Sequence, residues 1–512
     1  MSATLALMQR SLSVAARTWR TYWSRMVLVG MVMFWLLTAR EGWSSTAPGQ
    51  RLFVPVVWSN VFFLTMAGMY LFAAAIAEEK EFQTLPLLRM SSLSSLAILL
   101  GKSASQLLAV GLLVVCQLPF TLLAMTLGGV SPDQIYATYA NLLGYVAILG
   151  GIGVFASVAQ PTAARAMGLA TSLLALLFLG PLLAYGIVYQ LALMRIVTPD
   201  GWIDAGVREL GAFLLEQSPY TQLGRSASVG FAGPVFGVHL LYQLAFAAAL
   251  FLASWLAFDR WNRHEAPRAA RSWWRPGGAK NRTSGAVWSG MPYAWKDYRF
   301  LAGGTPWLVL KFFLYGAVIA LVAFAADADR LSELRATILW LSIPMLVLEL
   351  AIVASRVFSS EVTDKTIPVL VMLPTSVSVW AYGKLAGALC AAIPAAMWVA
   401  IGLLPELDDF LRTVNRASEW LALSTFVMAF VTYLHVVAWL SLYTRGAVVF
   451  GMVVMWLAGM GMTIPRVFLR FGGGGSGVME LMLTVYTGTM VAFCVASHLF
   501  IGRKLVSLAS AG

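Results

Sequence analysis

Twelve apolar runs, each long enough to cross a hydrocarbon core, recur along the whole chain, at 23–39, 52–77, 107–127, 135–159, 166–194, 234–258, 307–326, 337–358, 385–404, 420–442, 447–464 and 478–501. A core of about 30 Å takes about 20 helical residues, and the runs are continuously apolar, whereas the strands of a membrane barrel alternate over about ten residues. Composition agrees, because a chain of 512 residues with 60% hydrophobic and 11% charged residues cannot coat a water-soluble globule. The expected fold class is an all-α polytopic membrane protein with about twelve transmembrane helices. The first run is the least regular: its uninterrupted apolar stretch starts at Met26, and Arg25 must snorkel to the interface.

Orientation follows from the basic residues. With both termini on the cytoplasmic side, that side carries 23 Lys/Arg and 8 Asp/Glu when the charged residues at the ends of the runs are included, against 11 and 14 outside. That satisfies the positive-inside rule, which counts Lys and Arg rather than net charge. The overall charge of +12 then reflects topology and attraction to anionic lipid head groups, with no need for nucleic acid as a partner. The expected location is the plasma (inner) membrane, and no cleavable targeting segment is recognised in the N-terminal 25 residues. Those residues are amphipathic instead: on a helix Leu5, Met8, Leu12, Ala16, Trp19 and Trp23 share a face opposite Arg10 and Arg17, as in a helix lying at the head groups.

Two cytoplasmic loops repeat one another. Glu79, Thr84, Pro86, Leu88, Met90, Ser94, Gly101 and Lys102 superpose without a gap on Glu361, Thr366, Pro368, Leu370, Met372, Ser376, Gly383 and Lys384, an offset of 282 residues. Eight identities in 24 residues exceed the roughly two that unrelated stretches of this composition give, so the chain reads as a duplication. The divisions expected are a first six-span half at 1–258, a basic linker at 259–290 and a second half at 291–512. The loops follow spans 2 and 8, an even number of crossings apart, so the two repeats are parallel, with a pathway expected at the seam between them. Mechanically, Thr84 is suited to cap a short helix, Pro86 fits its first turn, and Leu85, Leu87, Leu88 and Met90 give it an apolar surface. Gly101 and Lys102 lead into span 3, with the lysine placed to snorkel. The aromatic and basic stretch 291–300 is expected to begin a second interfacial helix.

Other residues carry less chemistry. Cys116, Cys390 and Cys494 lie in spans as small apolar residues, and His239, His435 and His498 read as isolated packing residues rather than metal ligands. Asn281-Arg-Thr283 matches a glycosylation sequon but faces the cytoplasm, and Leu99–Ser103 contains Gly-Lys-Ser without the earlier glycine that a phosphate loop needs. Glu349 falls inside a span, where a charge costs about 3 kcal/mol, which marks it for pairing or for the pathway; the other reading sets the span too deep, since Arg356 follows two turns on. Lys311 is expected to snorkel. The outer segment 195–233 either caps the exit or docks a partner, or is a structural two-helix hairpin.

The repeated residues resemble the membrane subunits of type-2 ATP-binding-cassette exporters. In that family each six-span half has an interfacial helix before its first span, then an acidic residue, Thr-Leu-x-x-Leu and Gly-Lys in the loop after its second. Here those are Glu79, Thr84, Leu85, Leu88 and Gly101-Lys102, and again Glu361, Thr366, Ile367, Leu370 and Gly383-Lys384. Leu373-Pro374-Thr375 matches the family's Leu-x-Pro-x turn only in the second copy, and Ser218–Leu223 is similar to a family segment ahead of span 6. The resemblance implies that the chain is no enzyme but a permease, driven by two copies of a separate cytoplasmic ATPase that bind ATP-Mg and grip these loops. Glu79 and Glu361 would orient the docking helices. The chain itself would bind no cofactor. A secondary transporter and a non-transporting scaffold that recruits an ATPase are the alternative readings.

Overall fold

Proline and serine punctuate the helices of this computed structural model, which describes residues 8–10, 13, 19–39, 47–90, 93–193, 198, 201–262, 290–325, 331–363, 366–372, 374–404, 417–443 and 476–510. Pro48 and Pro132 stand in the first turns of two long helices, where the missing N–H has no intrahelical partner to lose. Ser94 and Ser376, partners in the sequence repeat, are both N-caps: their hydroxyls accept from Ala97 N at 3.2 Å and from Val379 N at 3.4 Å.

The chain divides into two units, Met1–Ser272 and Trp273–Gly512. The first contains α1 (Trp19–Ala39), α2 (Pro48–Glu81), α3 (Leu85–Met90), α4 (Ser95–Val115), α5 (Leu118–Thr126), α6 (Pro132–Ala159), α7 (Ala163–Leu193), α8 (Trp202–Gln217), α9 (Pro219–Ala227) and α10 (Val238–Trp261). In it α2 and α6 are central and pack on one another, burying Phe53, Val56, Phe72, Ile76, Leu142, Tyr145 and Leu149. The second contains α11 (Pro292–Phe300), α12 (Gly304–Ala325), α13 (Leu331–Val357), α14 (Ser359–Thr363), α15 (Ile367–Val371), α16 (Val377–Leu389), α17 (Ile393–Leu403), α18 (Ala417–Ser441) and α19 (Ser476–Ser510). Its core gathers Val357, Phe358, Ile367, Trp380, Ala388 and Leu505.

Eight of the helical stretches are long and apolar enough to cross a membrane: Pro48–Glu81, Ser95–Thr126, Pro132–Ala159, Val238–Trp261, Gly304–Ala323, Ser332–Val357, Val377–Leu403 and Leu483–Ser510. Their outer surfaces say which solvent they meet. Leu241, Leu256, Phe313, Leu314 and Val485 are each more than half exposed, an apolar surface that water would penalise and hydrocarbon accepts. No strand occurs among the described residues, and the chain is an all-α, multi-pass membrane protein. Helices α1, α7 and α18 cover three further apolar runs, while the run 447–464 lies outside the described residues.

Several boundaries differ from the sequence expectation. The third run begins earlier, at Ser95, and breaks at Cys116–Gln117 ahead of Pro119; α16 is likewise followed by a 3-10 turn, Cys390–Ala392, ahead of Pro394. Gly101 and Lys102 therefore sit inside α4 rather than at its start. The segment 195–233 contains the two helices α8 and α9. Of the N-terminal amphipathic stretch, residues 8–10 and 13 are helical and most of the remainder lies outside the described residues, as does nearly all of 259–290.

Candidate functional site

Both repeated loops close around the same three side chains. At the end of α2 the helix terminates on Gln83, whose φ of 57° is left-handed, with Gln83 N bonded to Lys80 O at 3.1 Å and Thr84 N to Glu79 O at 2.8 Å. These two bonds are the Schellman pattern, and they turn the chain sharply out of the helix. The turn returns Thr84 to Glu79, and the Thr84 hydroxyl donates to the Glu79 carboxylate. Lys102, 23 residues beyond Glu79, donates to Glu79 Oε1 at 2.5 Å from α4.

The second loop repeats the arrangement. Thr366 N donates to Glu361 O at 3.1 Å, the Thr366 hydroxyl donates to the Glu361 carboxylate, and Lys384 Nζ reaches Glu361 Oε1 at 2.7 Å. Two expectations are corrected here. The threonine side chains do not cap the short helices: Thr366 makes no side-chain capping bond, and its hydroxyl, like that of Thr84, is committed to the glutamate. Nor do Lys102 and Lys384 snorkel: both are turned inward, 23% and 2% exposed, and an ammonium taken out of water needs the carboxylate that each one meets.

Each short helix has a buried foot and an exposed tip. Leu85 and Ile367 are buried, whereas Leu87 and Met90 in the first loop, and the equivalent Val369 and Met372 in the second, are all at least 60% exposed. Pro86 is exposed, and Leu88, Pro368 and Leu370 are half-buried. Gly101 is buried in α4, and Gly383 lies against the Tyr293 ring.

The surroundings of the two loops differ. Lys80 Nζ donates to Ser157 O, Val158 O and Gln160 O at 3.0, 2.6 and 3.1 Å, satisfying the carbonyls at the end of α6 and tying α2 to it. Arg89 donates to Asn262 O at 3.1 Å, pairs with Asp259 at 3.5 Å and lies over the Phe258 ring, while Ser95 donates to Asp259 at 2.9 Å. The first loop is thus fastened to the end of α10. In the second unit α11 plays the fastening part. Its Lys296 donates to Glu361 Oε1 at 2.9 Å, and Lys384 reaches the Asp297 carboxylate at 2.9 and 3.0 Å. Arg10 adds a weaker attraction to Glu79, without a hydrogen bond.

Electrostatics rank these groups. Burial pushes the Glu361 carboxyl up, but hydrogen bonds from Lys384, Thr366 and Lys296 outweigh it and hold the group at about 2. Asp297 ends above its ordinary value, since burial exceeds the pull of Lys384 and Lys296 and the nearby Glu361 charge adds to it. Lys384 is 2% exposed and bridges the two carboxylates. Helix α11 can approach this closely because position 387 is glycine: a Cβ there would stand 2.0 Å from Ala294 O.

Glu349 is also paired. Lys311 Nζ donates to its Oε1 at 2.7 Å from α12, and the Tyr315 hydroxyl donates to the same oxygen, so Lys311 does not snorkel. Glu349 Oε2 is buried and makes no hydrogen bond. Sequence reasoning also separated His435 and His498, which the fold brings onto one hydroxyl. His435 Nδ1 donates to Val431 O at 2.8 Å, leaving Nε2 to accept from Tyr382 OH at 2.9 Å, and His498 Nδ1 lies 2.7 Å from the same oxygen. Among the described residues no group of three or more His, Cys, Asp or Glu side chains is arranged to hold a metal. Comparison with protein-family models and with curated proteins returns no match for this chain.

Proposed function

We propose that this chain is the permease of an ATP-driven exporter of the type-2 ATP-binding-cassette class, moved by cytoplasmic ATPase subunits that grip the two repeated loops. The observation that carries this reading is the shared Glu-Thr-Lys node, which in both loops holds a short helix with an apolar tip. Among the described residues nothing covers either tip, and paired tips suit one partner present twice. The node is borne by α2 with α4 and by α14, which follows α13 after Phe358, with α16; α2, α13 and the stretches begun by α4 and α16 have membrane-crossing lengths, so force at a tip is passed to them over a few residues.

On this reading the chain has twelve spans in two parallel six-helix repeats, with both termini cytoplasmic, in the plasma (inner) membrane. ATP-Mg binds to the ATPase, two copies of which serve one chain. Glu349 belongs to the pathway wall. A secondary transporter would instead use the Lys311–Glu349 pair as its coupling site, and that pair is the observation in its favour.

The test is reconstitution with the ATPase that co-purifies with the chain. Leu87→Asp with Val369→Asp should abolish its stimulation while the thermal transition of the chain stays in place. Labelling of Met90→Cys and Met372→Cys in sealed cells should occur only after the inner face is opened. Reaction of either cysteine from outside refutes the docking assignment, and transport driven by a proton gradient without nucleotide supports the secondary transporter.

A further inference from the structure

A cavity of about 330 Å3 opens in the first unit, away from the repeated loop, among the ends of α8, α9 and α10. That is at the small end of the roughly 300–1,000 Å3 found for ligand sites, enough for one sugar ring. Asn141, Glu216, Gln222, Arg225, Phe231 and His239 line it. We propose that this cavity binds a neutral, polyhydroxylated ligand, a hexose unit either free or as a lipid head group.

The lining selects against ions. Glu216 and Arg225 are the charged groups in it and offset one another at 3.4 Å, so the cavity offers no net charge to an anion or a cation. What remains are amides and an imidazole, which both donate and accept as sugar hydroxyls do. His239 Nε2 meets Asn141 Oδ1 at 2.6 Å, which leaves the Asn141 NH2 a donor and His239 Nδ1 an acceptor. Gln217 Oε1, also on the lining residues, is buried and makes no hydrogen bond in the chain. The Phe231 ring and Pro234 supply the apolar surface that the C–H face of a sugar needs.

The site is built rather than incidental. A Cβ on Gly237 would lie 2.3 Å from the His239 ring, and one on Gly233 would lie 2.7 Å from the Phe231 ring, so both rings are seated across bare backbone. Gly237 has ordinary extended dihedrals, and its lack of a side chain matters only for that ring. The wall beneath is held by buried polar bonds: Gln50 donates to Ala227 O at 2.5 Å, Gln134 to Ser228 O at 3.0 Å and Thr138 to Ser226 Oγ at 3.0 Å. Buried polar side chains in a membrane protein that fix a short surface helix are consistent with a site held in shape before its ligand arrives. On the topology proposed above the mouth faces outward, with exposed Phe236, Val238 and Leu241 beside it where the acyl chains of a glycolipid would lie.

The experiment uses the full chain in phosphatidylglycerol nanodiscs free of sugar detergent. Saturation-transfer NMR is recorded with methyl α-D-glucoside, with L-alanine as the zwitterionic comparison, and again in nanodiscs doped with a glucosyl diacylglycerol as competitor. The expected result is transfer to the glucoside ring protons and none to alanine. Glu216 meets Arg225 through Oε1, which leaves its Oε2 at the exposed rim to accept from a sugar hydroxyl, so Glu216→Ala should weaken binding about tenfold or more, the effect of one hydrogen bond to a charged group. Gly237→Ala should do the same by displacing His239, while Gly206→Ala, which has open space, should not. Displacement of the glucoside by the doped lipid assigns the head-group source, and lack of displacement assigns the free sugar. The proposal is overturned by absence of transfer from either sugar source, by transfer unchanged in Glu216→Ala, or by preference for alanine.

Discussion

Replacing Lys384 with methionine tests whether the second loop is held by charge. Lys384 is 2% exposed and lies within 3.0 Å of both Glu361 and Asp297, so its removal leaves two buried carboxylates facing Lys296, which is 47% exposed and screened by water. Breaking a buried pair by deleting one partner costs about 3–5 kcal/mol, and methionine retains most of the apolar stem, so the loss is electrostatic. The first loop supplies the internal comparison. Lys102 and Glu79 are 23% and 20% exposed and involve one carboxylate, so Lys102→Met should cost about 1.5–2 kcal/mol, the lower end of the value of a single charged hydrogen bond. Unfolding in nanodiscs, followed through the fluorescence of Trp380, which is fully buried against Phe358, should show a gap of about 2 kcal/mol between the two variants. Because the penalty is an unpaired negative charge, it should shrink in acid as Asp297 protonates, and Glu361→Gln added to Lys384→Met should restore part of it. Equal costs for the two lysines, or a penalty independent of pH, would refute the reasoning.

Further outcomes follow from the same geometry. In the native chain Glu361 is held at about 2 against an ordinary 4.5, so its contribution to stability is complete above pH 4.5 and is lost as pH falls towards 2; hydrogen exchange at Thr366 and Leu370 should quicken across that window. Asp297, shifted upward, opposes this and makes the loss shallower. Gln83→Gly should stabilise the first loop by up to about 1 kcal/mol, since glycine adopts φ of 57° without a Cβ penalty, whereas Gln83→Val should destabilise it; thermal unfolding distinguishes them. Gly387→Ala should cost about 1–3 kcal/mol through collision with the Ala294 backbone, while Gly383→Ala, with a 3.4 Å approach to Tyr293, should be near neutral in the same assay.

Sequence periodicity reveals what a single segment must do, and the apolar runs and repeated loops were legible for that reason. Ser94 and Ser376 mark helix starts through local hydrogen bonds that no distant residue alters. The lysines were harder. A lone lysine beside an apolar run reads as a boundary residue, yet the equal 23-residue spacing of Glu79 to Lys102 and Glu361 to Lys384 was the available sign that opposite charges were kept together twice. Lys296 and Asp297 gave no such sign, being 65 and 87 residues from Glu361 and Lys384 and joined to them only by the packing of α11 at Gly387. Tyr382, His435 and His498 come from three helices, and nothing in the spacing of the histidines points to a shared hydroxyl.

Arg89 and Ser95 fasten the first loop to Asp259 and Asn262, the last described residues before the stretch 263–289. At the equivalent positions the second loop has Val371 and Val377, which cannot form those bonds. The end of α10 therefore reins the first loop through bonds that its twin cannot copy: strengthening or cutting the arginine anchor would tune α3 and leave α15 as it is.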